Sequence, residues 1–452
     1  MASSPEHIAR GVIERCADCD VCRHLMDVNC LLFPELFRLF DGEKEEGKPI
    51  NRDELRSMID LCNFCALCPC PNIRSEIMQA KAAFVEQDGL KAGVRLLEDV
   101  ALVGKICGAI PGLTNRLLGS LLTGKPIKRG MGIHKDRNLP EFPDESFTAW
   151  ARRQGLHQKP SGEGLRKVAY FSGCTANYIF PQVAQAAVAF LQRSDIPVWL
   201  PPQQCCGMPA YLEGDTRLAL KFARVNLEQL CAAVDEGFDI VSACPTCGFM
   251  FRNLLKSGAY YATEVQEAIG APSDIILKPE NDQTGGNTTR FLQYKKSIYG
   301  KILKDDGPFA SISALKRVKV AEHLFDLGEY IVQFELSKGS ADHARAMDGG
   351  MVYFPPCHQR ELNIGKPYLK LLEERYGERV SSIDSEMYCC GMAGIMGFKN
   401  EFHESSQKLG QNLMDILKEM ASGLVVTDCL SCRLQIEQFT LFPVKHPIEL
   451  LP

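Results

Sequence analysis

The sequence has no long apolar run, no tract of basic residues and no secretory leader, and each absence excludes a class of protein. The longest uncharged stretch, Val168 to Gln192, is broken by the polar run Ser172 to Tyr178 and by Pro181, so it reads as strand, loop and helix rather than a bilayer span. The 51 basic and 56 acidic residues sum to a net charge of −5 with no cluster suited to tracking a phosphate backbone, which argues against a nucleic-acid partner. Met1 to Arg15 carries Glu6, Arg10, Glu14 and Arg15, without an apolar segment or an A-x-A cleavage site. A cytoplasmic chain is therefore expected, reaching the inner face of a membrane only through partners. No Ser-His-Asp arrangement, phosphate-binding loop or flavin-binding loop is present, so the chain has no evident site for hydride chemistry. Gly391, Gly394 and Gly397 superficially suggest a dinucleotide loop, but they follow a cysteine pair rather than a strand-to-helix turn of a nucleotide unit, so that signal is weak.

What the chain does have is cysteine, 20 in 452 residues. In a reducing compartment clustered thiols point to metal or redox-cofactor ligands rather than disulfides. Cys16, Cys19 and Cys22 are followed by Cys30; Cys62, Cys65 and Cys68 are followed by Cys70 and Pro71. Each C-x2-C-x2-C run puts three thiolates on one tight loop, enough for three corners of a cubane [4Fe–4S] cluster, with a fourth cysteine closing it from elsewhere. In two-cluster ferredoxins that fourth ligand crosses over. By that logic Cys16, Cys19, Cys22 and Cys70 hold one cluster, and Cys62, Cys65, Cys68 and Cys30 the other. The spacings before Cys30 and Cys70 depart from the ferredoxin pattern, which leaves the fourth ligands the less secure part of each set. Zinc sites favour C-x2-C pairs over triplets.

The remaining motif cysteines form an internal repeat. One copy reads VAYFSGC at Cys174, QQCCGM at Cys205 and Cys206, and SACPTCGF at Cys244 and Cys247. The other reads MVYFPPC at Cys357, YCCGMAG at Cys389 and Cys390, and VTDCLSCR at Cys429 and Cys432. Equivalent cysteines are offset by 183, 184 and 185 residues (357 − 174, 389 − 205, 429 − 244). Each copy thus supplies five thiols, one more than a zinc site or a simple cubane uses. Short apolar runs alternate with amphipathic segments: Val168–Phe171, then QVAQAAVAFLQ behind Pro181, IPVWL, DTRLALKFARVNLEQLCAAV with Asp215 as N-cap, and DIVSA. The second copy repeats the pattern with MVYF, KPYLKLLEERY, SSID, SSQKLGQNLMDILKEM and LVVT. That alternation predicts parallel α/β units whose cysteines follow the strands, where the open end of such a sheet binds ligands.

Duplicated C…CCG…C-x2-C motifs behind a two-cluster segment resemble the CCG-domain iron–sulfur family, whose members serve as subunits of anaerobic glycerol-3-phosphate dehydrogenase and of heterodisulfide reductase. The likeness runs from Cys16 to Leu451. It is nearest at CCGMAGIMGFKNEFHESSQKLG and LVVTDCLSCRLQIEQ, both similar to the member from the dehydrogenase. That member lacks one cysteine of the first C-x2-C, whereas Cys244 and Cys247 are both present here, as in the member from the reductase. The resemblance implies a fold of mixed α+β and α/β class. It would comprise a helical two-cluster ferredoxin-like domain (1–100), a connecting helical segment (101–165), a first CCG module (166–256), a linker or insertion (257–345) and a second CCG module (346–452). It also implies that Cys174, Cys205, Cys206, Cys244 and Cys247 bind one noncubane [4Fe–4S] cluster, and Cys357, Cys389, Cys390, Cys429 and Cys432 another. The function implied is electron transfer within an anaerobic oxidoreductase complex, between a flavoprotein or ferredoxin and an acceptor such as a quinone or a disulfide. The rivals are a catalytic heterodisulfide-reductase-type protein and a zinc-binding structural protein.

Cys107 and Cys231 fall outside every motif and read as core residues. His358, next to Cys357, reads first as a hydrogen-bonding residue and second as a ligand or tuner of a cluster. Gly207 and Gly391 suit turns in which backbone amides approach sulfur, and equally well ordinary turns. The segment Leu96 to Leu122 is apolar but interrupted by Glu98, Asp99, Lys105, Pro111 and Arg116, and is expected to pack on the cluster domains or a partner, with a surface-lying membrane helix as the alternative.

Overall fold

A computed structural model describes residues 4–27, 29–62, 64–65, 67–68, 70–120, 122–160, 166–280, 290–337, 349–383, 388–420 and 423–452. The polar run NDQTGGNTT lies outside these, as does the Asp of SSID.

The N-terminal part is helical. Ser4 caps the helix Pro5–Cys16 by accepting from the His7 amide, and Asn51 and Glu54 form a reciprocal capping box on Arg52–Asp60. With Leu32–Glu46 and Pro71–Asp88 these helices enclose a core that includes Val12, Phe33, Leu36, Met58 and Phe84. The cysteines occupy the helix ends: Cys16 closes the first helix, Cys19 precedes Asp20–Leu25, and Cys70 precedes Pro71–Asp88.

The repeat forms two four-stranded parallel sheets. The first contains β1 (Val168–Tyr170), β2 (Val198–Trp199), β3 (Asp239–Ser242) and a fourth strand that comes after an antiparallel hairpin of β4 (Ile275–Pro279) and β5 (Phe291–Lys295), namely β6 (Leu324–Asp326). The second contains β7 (Met351–Tyr353), β8 (Val380–Ser382), β9 (Leu424–Val426) and β10 (Val444–Lys445). The orders β2-β1-β3-β6 and β8-β7-β9-β10 are equivalent strand for strand, so the duplication read from cysteine spacing is also a duplication of topology. Val168, Ala169 and Tyr170 pair with Asp239, Ile240 and Val241, and Met351, Val352 and Tyr353 pair with Leu424, Val425 and Val426.

The apolar spacing behind Pro181 buries Val183, Ala184, Ala187, Val188 and Leu191 on one face of the helix Pro181–Arg193. Each of the larger side chains so buried contributes about 1.5–3 kcal/mol. Asp215 caps Thr216–Asp235 by accepting from the Leu218 amide. Tyr170, Val198, Tyr353, Leu371 and Val426 belong to one buried cluster, so the two modules share a core.

The sequence suggests a linker or insertion over 257–345, but this segment contains β6, which pairs in register with β3 (Ile240 to Leu324, Ser242 to Asp326) and completes the first sheet. A three-residue strand behind the helix Ala314–His323 is too short to leave a periodic signal.

Between Pro71–Asp88 and residue 131 the described residues form four short helices, Ala92–Glu98, Val100–Cys107, Pro111–Gly119 and Gly124–Gly130. Leu102, Ile106, Ile110, Leu113 and Leu122 are exposed on this segment. The chain then crosses the second module as a strap. The His134 amide donates to the Phe398 carbonyl (3.0 Å), the Asn400 amide to that of Gly132 (2.9 Å), and the Asn138 amide to Gln438 Oε1 (2.7 Å). No helix among the described residues is long and apolar enough to cross a membrane.

Candidate metal centre

All the repeat cysteines follow strand ends on the same side of their sheets. In each module the chain runs from the central strand (β1, β7) to one neighbour and then crosses to the other (β3, β9), so the loops diverge between the two central strands and leave the crevice that α/β sheets use for ligands. Cys174 lies in the first turn of the short helix Gly173–Tyr178 after β1, the pair Cys205–Cys206 follows β2, and after β3 Cys244 precedes the helix Pro245–Phe249 that holds Cys247.

Left-handed glycines shape these loops. A Cβ on Gly173 (φ +71°) would lie 2.9 Å from Cys247 Sγ, and one on Gly391 (φ +84°) 2.2 Å from the Ser406 carbonyl oxygen. The Gly391 amide donates to Cys389 Sγ at 3.4 Å, the amide-to-sulfur approach expected from sequence.

The thiols meet in contact pairs without disulfides. Cys205 Sγ lies 3.5 Å from Cys174 Sγ, and Cys432 Sγ 3.0 Å from Cys390 Sγ. Hydrogen bonds from Cys205 and Cys247 lower the Cys206 thiol to about 6. Those from Cys389 and Cys432 pull Cys390 well below the ordinary range. Their partners Cys247 and Cys432 are pushed up by the same sharing. Each site thus holds one thiol ready to ionise among others that cannot follow it without a positive centre.

Nine of the ten repeat thiols line one cavity of about 130 Å³. Cys174, Cys206, Cys244 and Cys247 line it from the first module, and Cys357, Cys389, Cys390, Cys429 and Cys432 from the second, together with Cys65. Cys205, the tenth, is buried away from this wall. Cys65 packs against Cys389 and Leu409.

The N-terminal cysteines feel one another's charge. Burial raises Cys16 to about 12, and the neighbouring Cys22, Cys19 and Cys70 add to it; burial likewise raises Cys22 to about 11, with Cys19 and Cys70 again contributing. Burial lifts Cys30 to about 12, with Cys65 and Cys62 adding, and lifts Cys68 alongside Cys62, Cys65 and Cys30.

Buried thiols that oppose one another's ionisation fit a group that neutralises several thiolates together, as an iron–sulfur cluster does. Among the described residues no three His, Cys, Asp or Glu side chains surround a single-ion position.

His358 lies between the modules. Its Nδ1 is 3.0 Å from Thr246 Oγ1, its ring stacks on Phe249 at 5.0 Å, and burial lowers its pKa to about 4. The hydrogen-bonding reading thus has a partner in the first module. Cys231 is buried in the core and Cys107 is half-buried at an apolar cleft, so neither joins the sulfur sites.

Sequence reasoning missed Arg137. It stands alone in the polar run HKDRN, which carries no motif, yet it is 1% exposed. Its guanidinium lies 5.0 Å from the Phe398 ring centroid and 5.7 Å from that of Phe439, and its Nη2 donates to Met392 Sδ at 3.0 Å. Desolvation lowers its pKa to about 10 while the Cys390 charge opposes that fall.

The cysteine-rich CCG domain model matches residues 168–252 and 351–437. A component of the anaerobic glycerol-3-phosphate dehydrogenase of Escherichia coli, its C subunit, is 28% identical over 333 residues, covering 72% of this chain and 69% of that protein. Lactate utilization protein A 1 of Bacillus mycoides is 24% identical over 273 residues, covering 60% of this chain and 88% of that protein. An uncharacterized iron-sulfur protein of Methanococcus maripaludis is 27% identical over 115 residues, covering 25% and 23%.

Proposed function

Since the chain is a CCG-domain protein of the iron–sulfur kind, carrying two copies of that cysteine-rich domain, we propose that it is the electron-transfer subunit of an anaerobic oxidoreductase complex. The observation that carries this reading is the contiguity of the sulfur sites: Cys65 of the second C-x2-C-x2-C run lines the same cavity as the thiols of both modules. Cys16, Cys19, Cys22 and Cys70 would hold one cubane cluster, and Cys30, Cys62, Cys65 and Cys68 the next. The two five-thiol sets would hold the CCG-bound clusters. Bound clusters supply reversible one-electron storage.

The chain's own residues do the rest. Gly391 and its neighbours aim amides at sulfur, which stabilises negative charge there. The apolar surround, with Met208, Met392, Leu212 and Ile395 on the cavity wall, keeps water from the thiolates. A flavoprotein dehydrogenase or a ferredoxin would give or take electrons at the N-terminal cysteines, and an acceptor would meet the chain at the CCG cavity. The relatives' names support this division of labour, one being a subunit of an anaerobic dehydrogenase.

Membrane proximity of a cytoplasmic chain is part of the same proposal. From Val100 to Lys135 there are six basic residues (Lys105, Arg116, Lys125, Lys128, Arg129, Lys135) and no acidic one. The exposed apolar side chains of the short helices interleave with them, a composition suited to the surface of an anionic bilayer.

A second reading, catalytic reduction of a disulfide between the CCG sites, is favoured by one observation: thiols of both modules line a common cavity. Cys389→Ser separates the two. It abolishes disulfide turnover if that site is catalytic, and leaves such turnover unaffected if it is not.

The primary test is iron, acid-labile sulfide and zinc per chain on anaerobically purified protein, with EPR of oxidised and reduced samples. Four clusters require about 16 iron and 16 sulfide. About eight iron would reduce the proposal to half its sites, and zinc without sulfide would replace it with a structural metalloprotein.

A further inference from the structure

Arg137 is a buried cation without an anion. Both Nε and Nη1 lack partners, Nη2 meets only the neutral sulfur of Met392, and among the described residues it makes no salt bridge. A charge taken out of water costs several kcal/mol unless something of opposite sign meets it. The aromatic faces of Phe398 and Phe439 return part of that. The Met392 and Phe398 side chains that it touches line the same cavity as Cys390 and Cys432, so the guanidinium stands directly behind the second sulfur site.

The surroundings are arranged to hold the guanidinium there. The strap crosses the loop that follows the cysteine pair, with Ile133 bridged to Lys399 and His134 hydrogen-bonded to Phe398, and the Met392 it touches is the residue two places after Cys390. The strap belongs to neither module, so the duplication does not reproduce it. At the equivalent thiols Cys174, Cys205, Cys206 and Cys247 the dominant charges are those of other cysteines, and no cation is among them. The second site also feels Arg360 at Cys357.

Resting on the proposed iron–sulfur reading, we infer that Arg137 is the counter-charge of the second CCG site: its guanidinium offsets the negative charge of thiolate-bound metal there and holds that centre at a higher reduction potential than its twin in the first module. Reduction adds negative charge, and a fixed cation in a low-dielectric surround favours the reduced form. Arg137 thereby adds, from outside the repeat, to the inequality of two centres built by duplication.

The experiment compares Arg137→Met and Arg137→Lys with the unmodified chain by EPR-monitored redox titration and by iron content. The second-module signal is identified as the one lost in Cys432→Ser. The expected result is that Arg137→Met lowers the reduced-to-oxidised ratio of that centre at least tenfold at a fixed poise, about 59 mV for a one-electron couple. Arg137→Lys should stay near the unmodified value, and the first-module centre should not move. If Arg137→Met instead sheds the iron of the second module while Arg137→Lys keeps it, the charge is needed to retain the anionic centre, and the inference stands. Unchanged potentials in both variants at full iron would overturn it. So would loss of the second-module iron in both, which would leave Arg137 a packing residue. An unmodified chain without iron and sulfide would sink the proposed function itself, a separate result.

Discussion

Thr246 Oγ1, from inside the first C-x2-C pair, lies 3.0 Å from Nδ1 of His358, the residue that follows the first cysteine of the second module. The two cysteine loops therefore touch through side chains, and a change on one is felt at the other. His358→Ala should leave iron content intact but shift the EPR line shape or potential of both CCG centres, whereas a variant with no contact across the modules would shift one alone. Redox titration of the variant beside Thr246→Val checks this.

The glycines of the cysteine loops should differ sharply from glycines elsewhere. Gly391→Ala must adopt a left-handed φ and push a methyl into the Ser406 carbonyl. It should cost roughly 2–6 kcal/mol from the combined strain and overpacking, and second-module iron with it. Gly365 has a similar φ (+72°) but open space around its Cβ position, so Gly365→Ala should cost only about 1–3 kcal/mol. Denaturation midpoints with iron counts distinguish the two.

Lys399 and Glu213 form a buried ion pair at 2.7 Å, each side chain 8% exposed, joining the loop after the second cysteine pair to the helix after the first. Lys399→Met alone strands a carboxylate and should destabilise by about 3–5 kcal/mol, whereas the double change to Met and Leu should cost much less. A double-mutant cycle in urea measures the coupling.

His446 is buried and uses both ring nitrogens in its neutral form: Nδ1 accepts from the Ile448 amide (3.1 Å), and Nε2 donates to the Ala243 carbonyl (3.0 Å). Burial lowers its pKa to about 3. The unfolded chain takes up a proton near pH 6.5 that the folded chain refuses, so stability is full above that pH and is lost as pH falls toward 3. Between pH 6.5 and 5 this group should remove about 2 kcal/mol. In His446→Gln the unfolding midpoint should be lower at pH 7 and flatter with pH; an unchanged slope would exclude His446 as its source.

The basic, acid-free segment should bind anionic vesicles. Ile106→Asp with Ile110→Asp should reduce the bound fraction severalfold at constant salt, since each places a charge where an exposed apolar side chain now stands. Co-flotation with anionic and with neutral vesicles provides the comparison, and equal binding to both would reject the charge component.

Much of this arrangement is legible from local chemistry. Pro181 and Asp215 begin helices as their positions predict, and VAY, DIVS, MVY and LVV are strands. Those segments carry their own capping or periodic signal, and the cysteine offsets carry the repeat. What escapes depends on distant partners. Leu324–Asp326 becomes a strand only because β3 offers an edge, and Arg137 matters only because the strap lays it beside Met392 and Cys390. The pairing of Cys65 with Cys389 belongs to the same class, since 323 residues lie between them (66–388).

The late arrival of β6 sets a timetable for synthesis. Eighty-one residues, 243–323, separate β3 from the strand that pairs with it. At about 5–20 residues per second the ribosome needs roughly 4–16 s to make them. From Cys247 onward the first module has all five of its cysteines but an open sheet edge, a nascent chain both exposed to oxidant and prone to pair with a neighbour. Metal insertion during translation, or a chaperone that covers that edge, would act in this window, before the second module has begun to emerge.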